Sequence, residues 1–144
     1  MFNTIIKALE NFCIHQIREE YIVNDFISDE KMIINYIDIN PSIGGKYRVY
    51  IASDFQFMQK IATLFLEEVQ SDEETLVDMT LETTNLIVGS AKVIAEELQK
   101  NLFTIETPHF IKIDRFDLEY DEIKTIQIAE DRMMIAIKEI DDNS

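Results

Sequence analysis

Residues 71–100 read SDEETLVDMTLETTNLIVGSAKVIAEELQK. Ser71 followed by Glu74 forms a capping box, in which two side chains satisfy free backbone N–H groups at the start of a helix. The acidic residues 72–74 also suit a first helical turn, because negative charge complements the helix dipole there. The stretch therefore predicts a helix from Ser71 to about Lys100, roughly 40 Å long at 1.5 Å per residue.

The apolar residues of this predicted helix point almost all the way round its axis, which predicts burial on nearly every side. One stripe of polar residues and glycine, spaced four and three apart, is the exception. It consists of Asp78, Glu82, Asn85, Gly89, Lys92 and Glu96. These positions fall within about 40° on either side of one direction, because steps of three and four residues return to the same helical face. We call this stripe the polar seam.

Two residues of the polar seam are unusual for the interior of a helix. Asn85 carries a short amide that competes for backbone hydrogen bonds, and Gly89 costs about 1 kcal/mol relative to alanine. The solvated edge of a surface helix is one interpretation, but glutamate, lysine and glutamine would form such an edge at lower cost. Asn85 and Gly89 instead favour a surface that another molecule approaches closely, with Gly89 removing a side chain from its path.

The rest of the chain alternates between helical and extended patterns. Apolar residues three and four apart predict an amphipathic helix over residues 2–18. Ser53 with Gln56 forms a second capping box, which predicts a helix to about Val69. Segments rich in β-branched and aromatic residues predict strands. They are 32–40, 46–52, 102–106, 109–113, 122–129 and 132–140, with a weaker extended piece at 21–27.

The connections between the predicted strands indicate how they pair. Residues 41–45 (PSIGG) predict a hairpin turn with glycine at positive φ. Glu130-Asp131 predicts the turn of a closing hairpin, and Thr107-Pro108 should break or displace strand pairing. We therefore expect one α+β domain over residues 1–144, with an antiparallel-rich sheet packed against long helices. Its tail, residues 141–144, should fray.

Composition argues against several classes of function. The formal net charge of −15 disfavours nucleic acid and anionic membranes, which would be repelled across most of the surface. Cys13 lies at an apolar helical position and is interpreted as a small buried hydrophobe. With His15 and His109 far apart in the chain, no metal site is predicted. Because the sequence shows no secretory signal and no apolar run of membrane-spanning length, we expect a cytoplasmic protein.

The polar seam carries a resemblance to a known family. Its run Asp78-x-x-x-Glu82-x-x-Asn85-x-x-x-Gly89 resembles the signature helix of the CheC/CheX/FliY phosphatases of bacterial chemotaxis. The order of elements is similar as well, since a hairpin and a short helix precede the signature and Thr107-Pro108 follows it. The resemblance covers most of residues 30–140.

The resemblance implies an activity and roles for individual residues. Members of this family hydrolyse the aspartyl phosphate of CheY-like response regulators, which carry their own Mg²⁺, so no cofactor is expected in this chain. Asn85 would orient the attacking water and Glu82 would pair with the active-site lysine of the regulator. Asp78, Gly89 and Lys92 would contact the partner, although pairing of Lys92 with Glu96 within the helix explains that lysine equally well.

Elementary chemistry agrees with the roles of Glu82 and Asn85. Phosphoryl transfer needs positioning and charge neutralisation rather than a strong base. A neutral amide donates and accepts hydrogen bonds at once, so it can hold a water in line with the phosphorus.

Two features separate this chain from other branches of the family. Residues 2–18 contain no second Glu-x-x-Asn, which is unlike CheC and similar to CheX, and a CheX-like protein is implied to be a homodimer. The 144 residues also leave no room for the switch domain of FliY. A non-catalytic adaptor of the same fold is the main alternative function. A metal-carboxylate enzyme is a weaker alternative, supported only by the acidic composition.

Overall fold

The computed structural model describes residues 1–140, in which three helices pack on a seven-stranded sheet. The helices are α1 (Phe2–Phe12, continued by a π-helical turn at Cys13–Ile17), α2 (Phe55–Leu66) and α3 (Glu73–Leu98). The strands are β1 (Ile22–Asn24), β2 (Lys31–Pro41), β3 (Lys46–Ser53), β4 (Phe103–Ile105), β5 (His109–Arg115), β6 (Glu122–Ile128) and β7 (Asp131–Ile140). The predicted fraying of residues 141–144 lies outside the described residues.

All described strand pairs are antiparallel, which confirms the predicted fold class. The sheet runs in the order β1-β6-β7-β3-β2, and both β4 and β5 pair with the far side of β2. The break predicted at Thr107-Pro108 separates them, so β4 pairs with the end of β2 and β5 with its beginning. The turn between β2 and β3 has Gly44 at φ +108°, as its sequence predicts.

The two faces of the sheet are covered differently. The helices cover one face and enclose the larger core, to which β2 contributes Ile33, Ile37 and Ile39. On the other face, Phe116 from the connection between β5 and β6 packs with Met32, Ile34 and neighbouring residues. The helix-covered face is therefore the one that positions the polar seam.

Both capping boxes were predicted one residue too early. Ser53 pairs within the sheet as the last residue of β3, and Asp54 caps α2 by accepting from the backbone N of Phe57 at 2.7 Å. Asp72, rather than Ser71, caps α3 by accepting from the backbone N of Thr75 at 2.8 Å. In both cases a carboxylate next to the serine satisfies the free N–H group.

Other boundaries moved by a few residues. Helix α2 ends at Leu66 rather than Val69, because Glu67 adopts a left-handed conformation and its N–H bonds the carbonyl of Thr63. The closing hairpin turns at Ala129-Glu130, one residue earlier than predicted, with Ala129 at φ +54°.

Candidate functional site

Helix α3 is held by one buried face made mainly of small and β-branched residues. Those facing the core are Thr80, Thr83, Thr84, Ile87, Val88, Ala91 and Ala95. Short side chains let the helix lie close to its neighbours, and α1 and β2 are among the elements that contact it. Thr80 and Thr83 donate to the carbonyls of Leu76 and Met79 at 2.8 and 2.7 Å, so their buried hydroxyls are satisfied within the helix.

The opposite face of α3 presents the polar seam. Asp78, Glu82 and Asn85 are exposed, and Gly89 and Lys92 are partly exposed. Within residues 1–140, the side chains of Glu82 and Asn85 take part in no hydrogen bond or ion pair, so both remain available to another molecule. Because they lie three residues apart, they project from the same side of the helix about one turn apart.

Lys92 has a partner within the helix. Its Nζ lies 3.9 Å from Oε1 of Glu96, four residues later, and both side chains are substantially exposed. An exposed pair of this kind contributes only a few tenths of a kcal/mol. The ion pair accounts for the position of Lys92 without a partner protein, which was the alternative considered from the sequence.

The expectation that α3 is buried on nearly every side except the seam is wrong. Leu86 is 40% exposed, Val93 51% and Leu98 65%. The sheet, α1 and α2 leave the outward side of α3 uncovered, and this face is wider than the polar seam and includes apolar residues. Leu86 directly follows Asn85, which places an exposed apolar side chain beside the two candidate functional residues.

Two adjoining grooves border Glu82 and Asn85. A groove of about 610 Å³ lies beside α1 and is lined by Asn85, Gly89 and Val93, and another of about 560 Å³ is lined by Asp78 and Glu82. Phe65 and Leu86 line both grooves. Glu82 and Asn85 therefore open into neighbouring depressions that share an apolar wall, a shape suited to receiving protruding side chains.

The end of α2 is fixed beside this surface. The ring of Phe65 stacks on Phe12 of α1 at a centroid distance of 6.1 Å. The carboxamide of Gln59 accepts from the backbone N of Ser71 at 2.8 Å and donates to the carbonyl of Glu68 at 3.3 Å, which ties the loop before α3 to α2. Sequence reasoning missed Phe65 because its contacts depend on how α1, α2 and α3 assemble.

Gly89 leaves bare backbone in the groove. A Cβ atom built there meets no atom within 4 Å, apart from its own helix backbone and chain neighbours. Neighbouring elements in residues 1–140 therefore do not demand a glycine at this position. Its helix-propensity cost has no compensation within the described chain, which fits a surface reserved for something outside it.

Metal-binding clusters and membrane-spanning helices are absent from residues 1–140. Between residues 1 and 140, no three His, Cys, Asp or Glu side chains are grouped so that they could hold a metal ion. None of the helices in that range is long and apolar enough to cross a membrane. Cys13 is fully buried, as its apolar helical position predicts.

Comparison with known proteins identifies the family to which the chain belongs. The sequence pattern described as "Chemotaxis phosphatase CheX" matches residues 36–137, which is most of the chain and includes the whole of α3. This chain belongs to the CheX family. The resemblance that the polar seam indicated is therefore confirmed, whereas no curated protein matches the chain by sequence.

Solved structures share the CheX fold. CheX from Vibrio vulnificus is 18% identical, with 94% of this chain and 96% of that chain covered at a TM-score of 0.76. A CheC-like chemotactic protein from Shewanella oneidensis is 16% identical, with 94% and 95% covered at 0.77. The CheX–CheY–BeF3–Mg²⁺ complex from Borrelia burgdorferi is 18% identical, with 96% and 97% covered at 0.67. At these identities the likeness establishes the fold alone.

Proposed function

We propose that this CheX-family chain accelerates hydrolysis of the aspartyl phosphate of a CheY-like response regulator in chemotaxis signalling. The observation that carries the proposal is the joint exposure of Glu82 and Asn85 on one side of α3, with no partner for either side chain within residues 1–140. Membership of a family described as chemotaxis phosphatases supports the reaction class. The Borrelia burgdorferi CheX solved with CheY supports the kind of partner.

In the proposed reaction, Asn85 supplies positioning. Its carboxamide would enter the active site of the regulator and hold a water by donating one hydrogen bond and accepting another. A water held in line with the phosphorus attacks in a nearly unimolecular step, so the amide accelerates the reaction without acting as a base. Mg²⁺ would be supplied by the regulator and would neutralise charge on the phosphoryl group.

Glu82 would anchor the complex. Its carboxylate would form a charge-assisted contact with the active-site lysine of the regulator and so fix the position of α3 along the interface. The bare backbone at Gly89 would allow close approach, while Asp78 and Lys92 would contribute polar contacts before and after these residues along the seam. Phe65 and Leu86, which the sequence did not single out, would add an apolar contact between the two grooves.

The proposal is tested by adding the protein in sub-stoichiometric amounts to a phosphorylated CheY-like regulator from the same cell and following phosphate release. We expect release faster than that of the regulator alone, with many phosphates hydrolysed per chain. If the wild type speeds hydrolysis of none of these regulators, the enzymatic proposal fails. Binding without acceleration would instead establish an adaptor.

The same assay with variants tests whether Glu82 anchors the complex and Asn85 positions the water. Glu82→Ala should weaken regulator binding more than Asn85→Ala does, because it removes a charge-assisted contact. Glu73→Ala is a matched control, since it removes an exposed glutamate of the same helix that lies outside the polar seam and lines neither groove. Equal losses of affinity in the Glu82 and Asn85 variants would contradict the assignment of Glu82 as the anchor.

A further inference from the structure

An asparagine interrupts the apolar row by which β2 faces the helices. Alternate residues of β2 point to the same side of the sheet, and Ile33, Ile37 and Ile39 on that side belong to the core beneath the helices. Asn35 lies within this row and is fully buried. Its Oδ1 accepts a hydrogen bond from Oγ1 of Thr84 at 2.7 Å, which joins the middle of β2 to the middle of α3.

The bond made by Thr84 differs from those of the other buried threonines of α3. Thr80 and Thr83 donate to carbonyls four residues earlier in their own helix, which satisfies both hydroxyls. Oγ1 of Thr83 also lies 3.8 Å from Sδ of Met58 on α2, but a thioether is only a weak acceptor. Thr84 instead donates across to the sheet. It is also the residue immediately before Asn85, the proposed water-positioning residue.

A contribution to the stability of the fold does not explain the buried Asn35–Thr84 pair. Nδ2 of Asn35 is buried and has no hydrogen-bond partner within residues 1–140. A buried donor without a partner is unfavourable, and an apolar pair of similar shape would often stabilise a core at least as well. Buried polar pairs are best attested where they specify one alignment of the elements that they join.

We propose that the Asn35–Thr84 hydrogen bond is a positioning device that fixes the rotation and axial position of α3 on the sheet, and thereby the placement of the Asn85 carboxamide. Apolar contacts are not directional, so a helix resting on them alone can turn or slide slightly at little cost. A single hydrogen bond of defined geometry removes that freedom at the residue next to Asn85. The inference rests on the proposed phosphatase function, and both residues act through Asn85 rather than on the regulator.

The test compares substitutions that remove one hydroxyl each. Thr84→Val removes the bond to Asn35 with little change in shape, whereas Thr80→Val is the matched control because it removes a buried hydroxyl that bonds only its own helix. Thr84→Ser restores the hydroxyl. The double variant Asn35→Leu/Thr84→Val replaces both polar partners and covers the case in which Thr84→Val alone fails to fold. Phosphate release at varied regulator concentrations gives kcat and KM, and thermal unfolding confirms that each variant is folded.

We expect kcat to fall about tenfold or more in Thr84→Val and in the double variant, with KM within about twofold of the wild type, since misplacement of a positioning group slows the chemical step. Thr80→Val should keep the wild-type kcat and Thr84→Ser should recover most of it. The double variant should unfold at the wild-type temperature or above, so its loss of turnover cannot be attributed to instability.

The possible failures are distinguishable. A wild type that leaves phosphate release unchanged overturns the proposed function and this inference with it. An active wild type whose folded Thr84→Val or double variant turns over equally fast overturns this inference alone. The inference also fails if Thr80→Val loses as much turnover as Thr84→Val, or if neither variant of the pair folds, because the pair then has only a structural role.

Discussion

Glu82 and Asn85 are available to another molecule because no other group in residues 1–140 bonds to either side chain. An asparagine in the middle of a helix is unfavourable unless its amide has a task, and the Asn85 amide has no partner within residues 1–140. Gly89 is also unfavourable in a helix without an internal reason, since neighbouring elements leave room for a side chain at this position. Residues that weaken a helix without an internal benefit indicate selection for something outside it.

Gly89→Ala should increase the stability of the protein and weaken its interaction with the regulator. Alanine should raise the free energy of unfolding by up to about 1 kcal/mol, because it favours the helix and its Cβ meets open space. The same methyl group should raise KM for the phosphorylated regulator, because it occupies the surface that the partner approaches. Denaturant unfolding and phosphate-release kinetics measure the two effects.

Ser90→Ala is the control for Gly89→Ala, because it changes the adjacent residue of the same helix, which is also at the groove. A Gly89→Ala variant that is more stable and retains the wild-type KM would show that close approach at this position is unnecessary. In that case Gly89 would be a residue without a role in docking.

Helix α3 presents a surface of polar and apolar residues rather than a polar seam alone. The exposed Leu86 and Phe65 lie between the grooves that Glu82 and Asn85 line. An apolar contact at the centre of an interface, surrounded by polar groups, is the usual arrangement of residues that dominate binding. The loop tied to Gln59 holds the end of α2 in place beside this surface.

Leu86→Asn should weaken docking without unfolding the protein. Leu86 is 40% exposed, so its replacement should lower thermal stability only modestly, through the partial loss of burial and the weaker helix propensity of asparagine. KM for the regulator should rise, whereas kcat at saturation should change little. Leu98→Asn is the matched control, since Leu98 is exposed near the end of the same helix and lines neither groove. An equal KM for the two variants would exclude Leu86 from the interface.

The helices and strands show which features of the fold could be predicted from the sequence and which could not. Periodicity located all three helices and the strands, because amphipathic patterns are local properties of the chain. It placed Glu82, Asn85 and Gly89 on one face for the same reason. It could not show which apolar residues of α3 the sheet leaves uncovered, so Leu86 and Val93 were expected inside. The caps were misplaced by one residue because serine and aspartate stand side by side at both helix starts, and either can cap.

The buried thiol of Cys13 provides a probe of the packing of the entire domain. Burial, reinforced by the negative charge of Glu10, raises the pKa of Cys13 from 9.0 to about 12. The thiol is therefore neutral in the folded protein where it would ionise in the unfolded chain. A group whose pKa is raised by folding contributes stability that is present below the unfolded pKa and is lost as the pH rises towards the folded value.

The free energy of unfolding should therefore fall between pH 9 and pH 11, by about 2 kcal/mol from Cys13 alone, since each pKa unit corresponds to about 1.4 kcal/mol. Cys13→Ala should show a correspondingly smaller fall over the same range, which corrects for other groups that titrate there. Alkylation of the wild type at pH 8 should be slow until the protein unfolds. A rapid reaction in the folded protein would contradict the burial of this thiol.

The predicted homodimer would need a contact surface, and the sheet offers an edge for one. Strand β5 pairs with β2 on one side only among the described strands, and its Phe110 is exposed. We propose that two copies associate through such an edge, because an uncovered strand edge is a template for pairing. Sedimentation equilibrium should give twice the chain mass of 16.9 kDa.

Phe110→Lys should weaken this association, because charge at a strand edge opposes pairing. Ile43→Lys in the turn between β2 and β3 is the control, since Ile43 is already almost fully exposed. A wild type that sediments as a single chain, or a Phe110→Lys variant that associates unchanged, would contradict a dimer through β5.

The central claim is that the Asn85 carboxamide positions the attacking water. Its most direct test is the rate of a single turnover in a preformed complex, with enough protein to bind all of the phosphorylated regulator. Asn85→Ala should slow hydrolysis in the complex by about a hundredfold, towards the rate of the regulator alone. Asn3→Ala, which removes an exposed asparagine from α1, should leave the rate unchanged. An Asn85→Ala complex that hydrolyses its phosphate as fast as the wild type would contradict the claim.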